Sequence, residues 1–105
     1  MHTKAPWKVV ENGGRMVGVM SKNDWVVYKA GQDRMSTEEI EANACLIAAA
    51  PDLLSDLVEA AQLLRNYEKL HREKGTEDGL IKADRNKAWA EQFEATINKA
   101  TSISN

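Results

Sequence analysis

The segment Glu41-Ala-Asn-Ala-Cys-Leu-Ile-Ala-Ala-Ala-Pro-Asp-Leu-Leu54 decides how the second half of this 105-residue chain is built. Alanine and leucine favour helix on both sides of Pro51, but proline has no amide hydrogen and disfavours helical geometry in the residue before it. Proline and the following Asp52 both suit the first turn of a new helix. The segment therefore predicts a short helix over about 37–49 that ends before Pro51, and a second helix from there to about Glu73.

The residues before this segment have the pattern of strands. Asn12-Gly13-Gly14 and Lys22-Asn23-Asp24 are typical of tight turns, and short turns join antiparallel neighbours. The predicted strands cover about 7–11, 15–21 and 25–29. The sequence therefore predicts a three-stranded antiparallel meander over residues 7–30.

The C-terminal part has the pattern of a helical hairpin. Ser36 and Glu39 fit a capping box at the start of the first helix. The second helix has an apolar stripe of Leu53, Leu57, Ala60, Leu64 and Tyr67. A polar turn at 75–79 precedes a third helix over about 80–100, with an apolar side of Ile81, Ala88, Trp89, Phe93 and Ile97. The expected fold class is α+β, a meander followed by a short helix and a two-helix antiparallel hairpin, in a single domain over 1–105 with its helical part at 37–100.

Two stretches of the chain resemble a large group of small phage and prophage proteins. These proteins often begin with His-Thr-Pro and reach a Pro-Trp pair, as in His2-Thr3-Lys4-Ala5-Pro6-Trp7, and they carry a core similar to residues 41–54. The resemblance covers residues 2–64, with Lys4 in place of a usual proline and Cys45 where arginine is common. It implies a phage origin and a compact αβ fold, and it implies little chemistry.

Composition argues against several classes of protein. The hydrophobic fraction of 43% and the charged fraction of 29% are those of an ordinary globular protein. A net charge of −2 is less basic than expected for a general nucleic-acid binder and far less acidic than expected for a DNA mimic. The single cysteine allows no intramolecular disulfide, residues 1–4 are followed by no apolar core of the kind found in signal peptides, and no apolar run is long enough for a bilayer. We therefore expect the protein in the host cytoplasm.

Both faces of the predicted sheet are apolar. Under simple alternation, Met16, Gly18 and Met20 oppose Val17 and Val19, and Trp25 and Val27 oppose Val26 and Tyr28. A sheet that is buried on both sides needs two covering layers, and a chain of this length supplies helices for one. The second layer is therefore expected to be another copy of the chain, in a dimer or a higher assembly. The alternative is that the long helices wrap around an edge of the sheet and cover part of each face.

Residues suited to catalysis are few. Only His2 and His71 could act as imidazole bases, and no cluster of His, Cys, Asp or Glu has the spacing of metal ligands. Cys45 shares a helix face with Ala42 and Ala49 and fits a small core residue. The acidic residues of the helices fit a solvated face, and they include Glu38, Glu39, Glu41, Asp52, Asp56 and Glu59. We expect no enzymatic activity, no metal site and no cofactor.

A mixture of aromatic and basic groups on or beside the predicted sheet is the best candidate binding site. Aromatic faces stack on bases, and arginine forks pair with phosphates. The predicted ligand-binding residues are Arg15, Arg34, Trp25, Trp7, Tyr28 and Asn43. The alternative for the tryptophans is a place in the core or in an interface, and Asn43 could instead set the helix register through a hydrogen bond with a strand. Gly18 indicates a bulge or the close approach of another group.

These observations favour a non-enzymatic phage binding protein over an enzyme. One hypothesis is a counter-defence sponge that sequesters a cyclic nucleotide or a cyclic ADP-ribose-type immune signal, since the chain is similar in size and layout to such phage proteins. The alternative is an inhibitor or adaptor that binds a host or phage protein directly. A structural or accessory role in the phage is a further alternative.

Overall fold

A computed structural model describes residues 2–12, 15–27 and 35–102, with the side chains of residues 12 and 15–17 excepted. In chain order its elements are strands β1 (Lys8–Asn12), β2 (Arg15–Ser21) and β3 (Asp24–Val27) and helices α1 (Thr37–Glu73) and α2 (Glu77–Thr101). The chain divides between Leu53 and Leu54 into two compact units. The expected α+β class is confirmed, and the single domain over 1–105 stays a prediction.

The three strands form one antiparallel sheet in the order β1-β2-β3, which confirms the predicted meander. Val19 in the central strand pairs with Val9 of β1 and with Val27 of β3. Residues paired across a ladder share a face of the sheet, so these three valines mark one face.

The core of the first unit lies between this face and α1. Val19 and Ala44 are fully buried, and Trp7, Val9 and Val26 pack against them. The other residues in contact with this pair come from α1 and are Ile40, Ile47 and Ala48. Together with Ala44 they recur at intervals of four, three and one residues, which places them on one side of the helix. Burial of this apolar stripe holds residues 40–48 of α1 on the sheet.

A bulge in β3 changes which residues share a face. Val19 pairs with Val27 whereas its neighbour Met20 pairs with Trp25, so Val26 is the extra residue between them. The prediction that Trp25 and Val27 share a face is wrong, because their partners are adjacent in β2 and adjacent strand residues face opposite ways. Val26 contacts the core, and Trp25 lies on the other face.

The start of α1 contains the serine half of the predicted capping box, whereas the Glu39 carboxylate lies against the Ser36 hydroxyl instead of the Ser36 amide. The Glu39 amide donates a hydrogen bond to Ser36 Oγ at 3.1 Å. The Ser36 hydroxyl in turn donates to Glu39 Oε1 at 3.4 Å. The Ser36 carbonyl accepts from the Ile40 amide at 3.1 Å. The Ser36 hydroxyl therefore satisfies the Glu39 amide, which the first turn would otherwise leave without a partner.

The predicted break at Pro51 is wrong, because α1 is helical through this residue and on both sides of it. A proline inside a helix leaves the carbonyl four residues earlier, here that of Ile47, without its usual amide donor. The loss of one bond is tolerated where the flanking residues favour helix, as the alanines at 48–50 and the leucines at 53–54 do. The first two predicted helices are therefore one helix of 37 residues.

The second unit is a helical hairpin. Gly75 follows α1 with a φ of 66°, a backbone geometry that glycine adopts without strain. Thr76 then caps α2 by accepting a hydrogen bond from the Gly79 amide at 2.9 Å. Because of this cap, α2 begins at Glu77, a few residues before the predicted start.

The predicted apolar side of α2 is only partly correct. The buried residues of α2 are small and comprise Gly79, Ala83 and Ala90. Phe93 and Ile97 of the predicted side are half-buried, whereas Ala88 and the larger Ile81 and Trp89 are exposed. A search for large apolar side chains misses a contact made by alanine and glycine, which have little side-chain volume.

Candidate functional site

The sheet face opposite the valines of the core is the first candidate surface, and we call it the open sheet face. By register its described residues are Lys8, Val10, Gly18, Met20 and Trp25. Trp25 is 44% exposed, Val10 and Met20 are half-buried and Lys8 is exposed. An exposed indole that shares a sheet face with apolar side chains and a cation can contact an apolar protein surface or stack on a planar ring.

The structure does not bring the two predicted tryptophans together. Trp7 packs against the buried pair Val19 and Ala44, and its Nε1 donates a hydrogen bond to the Thr3 carbonyl at 3.0 Å. Trp25 lies on the open sheet face, on the opposite side of the sheet. The described contacts of Trp7 are those of a core residue, the alternative that the sequence left open.

The remaining predicted ligand-binding residues are only partly described. Tyr28 and Arg34 lie outside the described residues, and so does the side chain of Arg15, whose backbone begins β2 opposite Asn12. Asn43 is half-buried on α1, directly before the core residue Ala44. The contacts of Arg15 and Arg34 with an anion therefore stay predictions.

The hairpin contains an ion-pair cluster that joins its two helices. Arg65 donates from Nε and Nη2 to the two carboxylate oxygens of Glu94, at 2.9 and 2.7 Å, and from Nη1 to Glu68 at 2.9 Å. Arg72 donates from Nη2 to Glu68 at 2.9 Å and to Asp84 at 3.0 Å. Arg65, the earlier arginine of α1, bonds the later residue of α2, Glu94, and the later Arg72 bonds the earlier Asp84. The two helices are therefore antiparallel, as predicted.

The cluster changes the proton affinity of its members. Hydrogen bonds from Arg65, and then from Arg72, hold the pKa of the Glu68 carboxyl below its ordinary value of 4.5. A hydrogen bond from Arg65 likewise lowers the pKa of Glu94. The same contacts raise the pKa values of both arginines above their ordinary range. All of these shifts favour the charged forms, so the cluster is a structural clamp at neutral pH.

Groups with catalytic chemistry are scattered among the described residues, which contain no cluster of His, Cys, Asp and Glu able to hold a metal ion. His71 is half-buried, with Nδ1 3.5 Å from Lys74 Nζ. Cys45 is exposed, so its predicted place in the core is wrong. One residue corresponds to about 100° around a helix, and this rotation carries Cys45 away from the side that Ala44 places on the sheet.

Large apolar side chains are exposed along both helices of the hairpin. They are between 45% and 55% exposed and comprise Val58, Leu63, Tyr67, Leu70, Leu80, Ile81 and Trp89. The Trp89 ring also packs on that of Phe93, with a centroid distance of 5.8 Å. Single exposed apolar residues are normal, whereas apolar surface that continues over several turns indicates an interaction site.

Comparison with models of protein families gives a match over nearly the whole chain. A family model described as Salmonella phage P22 protein Y8K6 matches residues 1–104. No curated protein and no solved structure matches the chain. Among the described residues, no helix is long and apolar enough to cross a membrane. The family match confirms the resemblance to small phage proteins and extends it beyond residue 64.

Proposed function

The chain belongs to the family of Salmonella phage P22 protein Y8K6, and we propose that it acts for the phage as a non-enzymatic binding protein. The function with the best support is direct contact with a host or phage protein. The observation that carries this proposal is the open sheet face, on which Trp25 is 44% exposed and pairs with the half-buried Met20.

The chemistry of the open sheet face suits a protein partner. Tryptophan is enriched among the residues that contribute most to protein–protein binding, because it buries a large area with few rotatable bonds. Val10 and Met20 add apolar surface to the same sheet face, and Lys8 adds a positive charge to it. A fitting partner presents an apolar patch with an acidic group at its edge.

A second candidate is counter-defence by sequestration of a cyclic nucleotide or a cyclic ADP-ribose-type signal. One observation favours it, since the accessible indole of Trp25 shares its face with the cation of Lys8. Indoles stack on bases, and cations pair with phosphates. In this proposal Arg15 and Arg34 add phosphate contacts, Tyr28 adds stacking, and the protein holds its ligand without changing it.

The first experiment separates these candidates by thermal shift. The purified protein is screened with cyclic dinucleotides, cyclic trinucleotides and cyclic ADP-ribose isomers. A tight ligand raises Tm by mass action, by an amount that grows with ligand concentration. A dose-dependent rise that Trp25→Ser removes would support sequestration, whereas an unchanged Tm with every compound favours a protein partner.

The second experiment tests the protein partner directly. Tagged wild-type protein, Trp25→Ser and the control Leu46→Ser are purified from phage-infected host cells, and their bound proteins are identified. Leu46 is a matched control because it is a large, exposed apolar residue of the same unit that lies on α1. We expect a specific protein with the wild type and with Leu46→Ser and its loss with Trp25→Ser. Equal recovery with all three proteins would contradict a role for the open sheet face.

A further inference from the structure

The C-terminal part of α1 exposes a row of residues with a symmetric order of chemistry. Glu59, Leu63, Tyr67, Leu70 and Lys74 follow one another at intervals of four, four, three and four residues, and all five are exposed. Lys74 stands directly after the last residue of α1. Such intervals keep side chains on one side of a helix, so we treat these residues as a single row, the α1 row.

The α1 row lies away from the groups of α1 that hold α2. The buried Ala61 and the ion-paired Arg65 are each two residues from Leu63, and Arg72 is two residues after Leu70. Two residues correspond to about 200° of rotation around a helix. The contact with α2 therefore uses the other side of α1 and leaves Leu63, Tyr67 and Leu70 about half exposed.

The order of the α1 row is self-complementary. A two-fold axis perpendicular to α1 at Tyr67 would bring Glu59 to Lys74 of a second copy, and Leu63 to Leu70. At about 1.5 Å per residue, Glu59 and Lys74 lie roughly 12 and 10.5 Å from Tyr67 along the helix, and the two leucines lie roughly 6 and 4.5 Å from it. The paired positions agree to about 1.5 Å, well within the reach of these side chains.

We infer that a second copy of this chain docks on the α1 row in antiparallel orientation, about a two-fold axis near Tyr67. The antiparallel pair places leucine on leucine and an acid on a base at both ends. A parallel pair in register would place Glu59 on Glu59 and Lys74 on Lys74, where like charges repel. Charge thus selects the orientation, and burial of the half-exposed apolar side chains supplies the attraction.

The size of the α1 row limits how tight this dimer can be. The row spans about 22 Å of helix, whereas stable interfaces bury about 800 Å² on each partner. A contact confined to one helix face belongs to the smaller, transient class, so we expect a dimer that forms in the micromolar range. This inference does not rest on the proposed function, because the open sheet face belongs to the other unit.

A charge exchange tests both the contact and its orientation. Sedimentation equilibrium over the micromolar range is measured for wild type, Glu59→Lys, Lys74→Glu and the variant that carries both changes. We expect each single change to weaken the dimer about tenfold and the double change to restore most of the affinity. Lys69→Glu is the matched control, because it makes the same charge change on another side of α1. A monomeric wild type, or a double variant no better than the single ones, would overturn the inference.

An apolar variant separates this surface from the sheet. Leu70→Ser removes an exposed side chain, so we expect its circular dichroism spectrum to be unchanged while the dimer weakens about tenfold or more. Trp25→Ser is measured in parallel and should leave the mass distribution as in the wild type. If Trp25→Ser abolishes the dimer and Leu70→Ser does not, the second copy binds the sheet instead, and the α1 row is not the interface.

Discussion

Arg65 and Glu94 are joined by two hydrogen bonds of 2.9 and 2.7 Å, each between a different guanidinium nitrogen and a different carboxylate oxygen. A two-point contact of this kind fixes orientation as well as distance. Because Arg65 also bonds Glu68 of its own helix, the guanidinium is positioned before it meets α2. The pair therefore places the turn of α2 that contains Glu94 beside the turn of α1 that contains Arg65.

Removing the Arg65 guanidinium should destabilise the hairpin. Arg65→Gln removes the contact with Glu94 and leaves the acidic groups of the cluster without one of their two cations. We expect a lower Tm than that of the wild type, measured by thermal denaturation at neutral pH and low salt. Arg85→Gln is the control, because Arg85 is an exposed arginine of α2 and does not belong to the cluster. An equal effect of the two changes would contradict the clamp.

The hairpin should lose stability in acid. The pKa values of Glu68 and Glu94 are below 4.5 in the folded protein, so their stabilisation is complete above that value and is lost as the pH falls through the folded pKa values. We expect the Tm to drop between about pH 5 and about pH 3. Glu94→Gln should have a lower Tm at neutral pH and a smaller acid-induced drop, and a drop as steep as that of the wild type would exclude Glu94 as a contributor.

Gly79→Ala should destabilise the protein, although alanine normally favours a helix over glycine. A Cβ at this position would lie 2.6 Å from the His71 carbonyl oxygen, which is backbone and cannot turn aside. We expect a loss of about 1–3 kcal/mol in the free energy of unfolding, measured by urea denaturation. Without the clash, the substitution should stabilise the helix by about 1 kcal/mol. An increase in the free energy of unfolding would therefore contradict the close contact with His71.

Pro51→Ala should stabilise the protein, because α1 continues through Pro51. Alanine restores an amide donor for the carbonyl four residues earlier and is the better helix former by up to about 3 kcal/mol. The measurements are Tm and helical circular dichroism. Asp52→Ala serves as a control, since it adds an alanine at the next position without restoring a backbone donor. A lower Tm for Pro51→Ala would indicate that proline suits this position, as expected at the start of a separate helix.

The sequence predicted residue types for the candidate surfaces, but their exposure and contacts depend on tertiary structure. The separation of Trp25 from Val27 depends on the bulge at Val26, and a bulge is defined only by the register between two paired strands. The Arg65–Glu94 contact joins residues 29 apart in the chain, and only the pairing of α1 with α2 makes them neighbours. The α1 row is visible as a helical pattern, but its exposure follows from where α2 packs.

Local chemistry by itself determined several elements of this protein. Turn residues specified a meander, since a tight turn leaves its strands no option but to pair antiparallel. Ser36 and Glu39 specified the start of α1, because a cap forms within a single turn. Residues 2–7 and 41–54 were enough to indicate a phage family.

The tertiary structure decided features that local sequence signals do not determine, namely the continuity of α1 at Pro51 and which side chains are buried. Pro51 costs one hydrogen bond, and whether that breaks a helix depends on how strongly the residues on both sides hold it. The buried face of α2 carries the small residues Ala83 and Ala90. The packing of α2 against its partner helix decides that this face is buried. Cys45, Ile81 and Trp89 are exposed for the same physical reason, because burial is decided by the partner surface that a side chain meets and not by its own polarity.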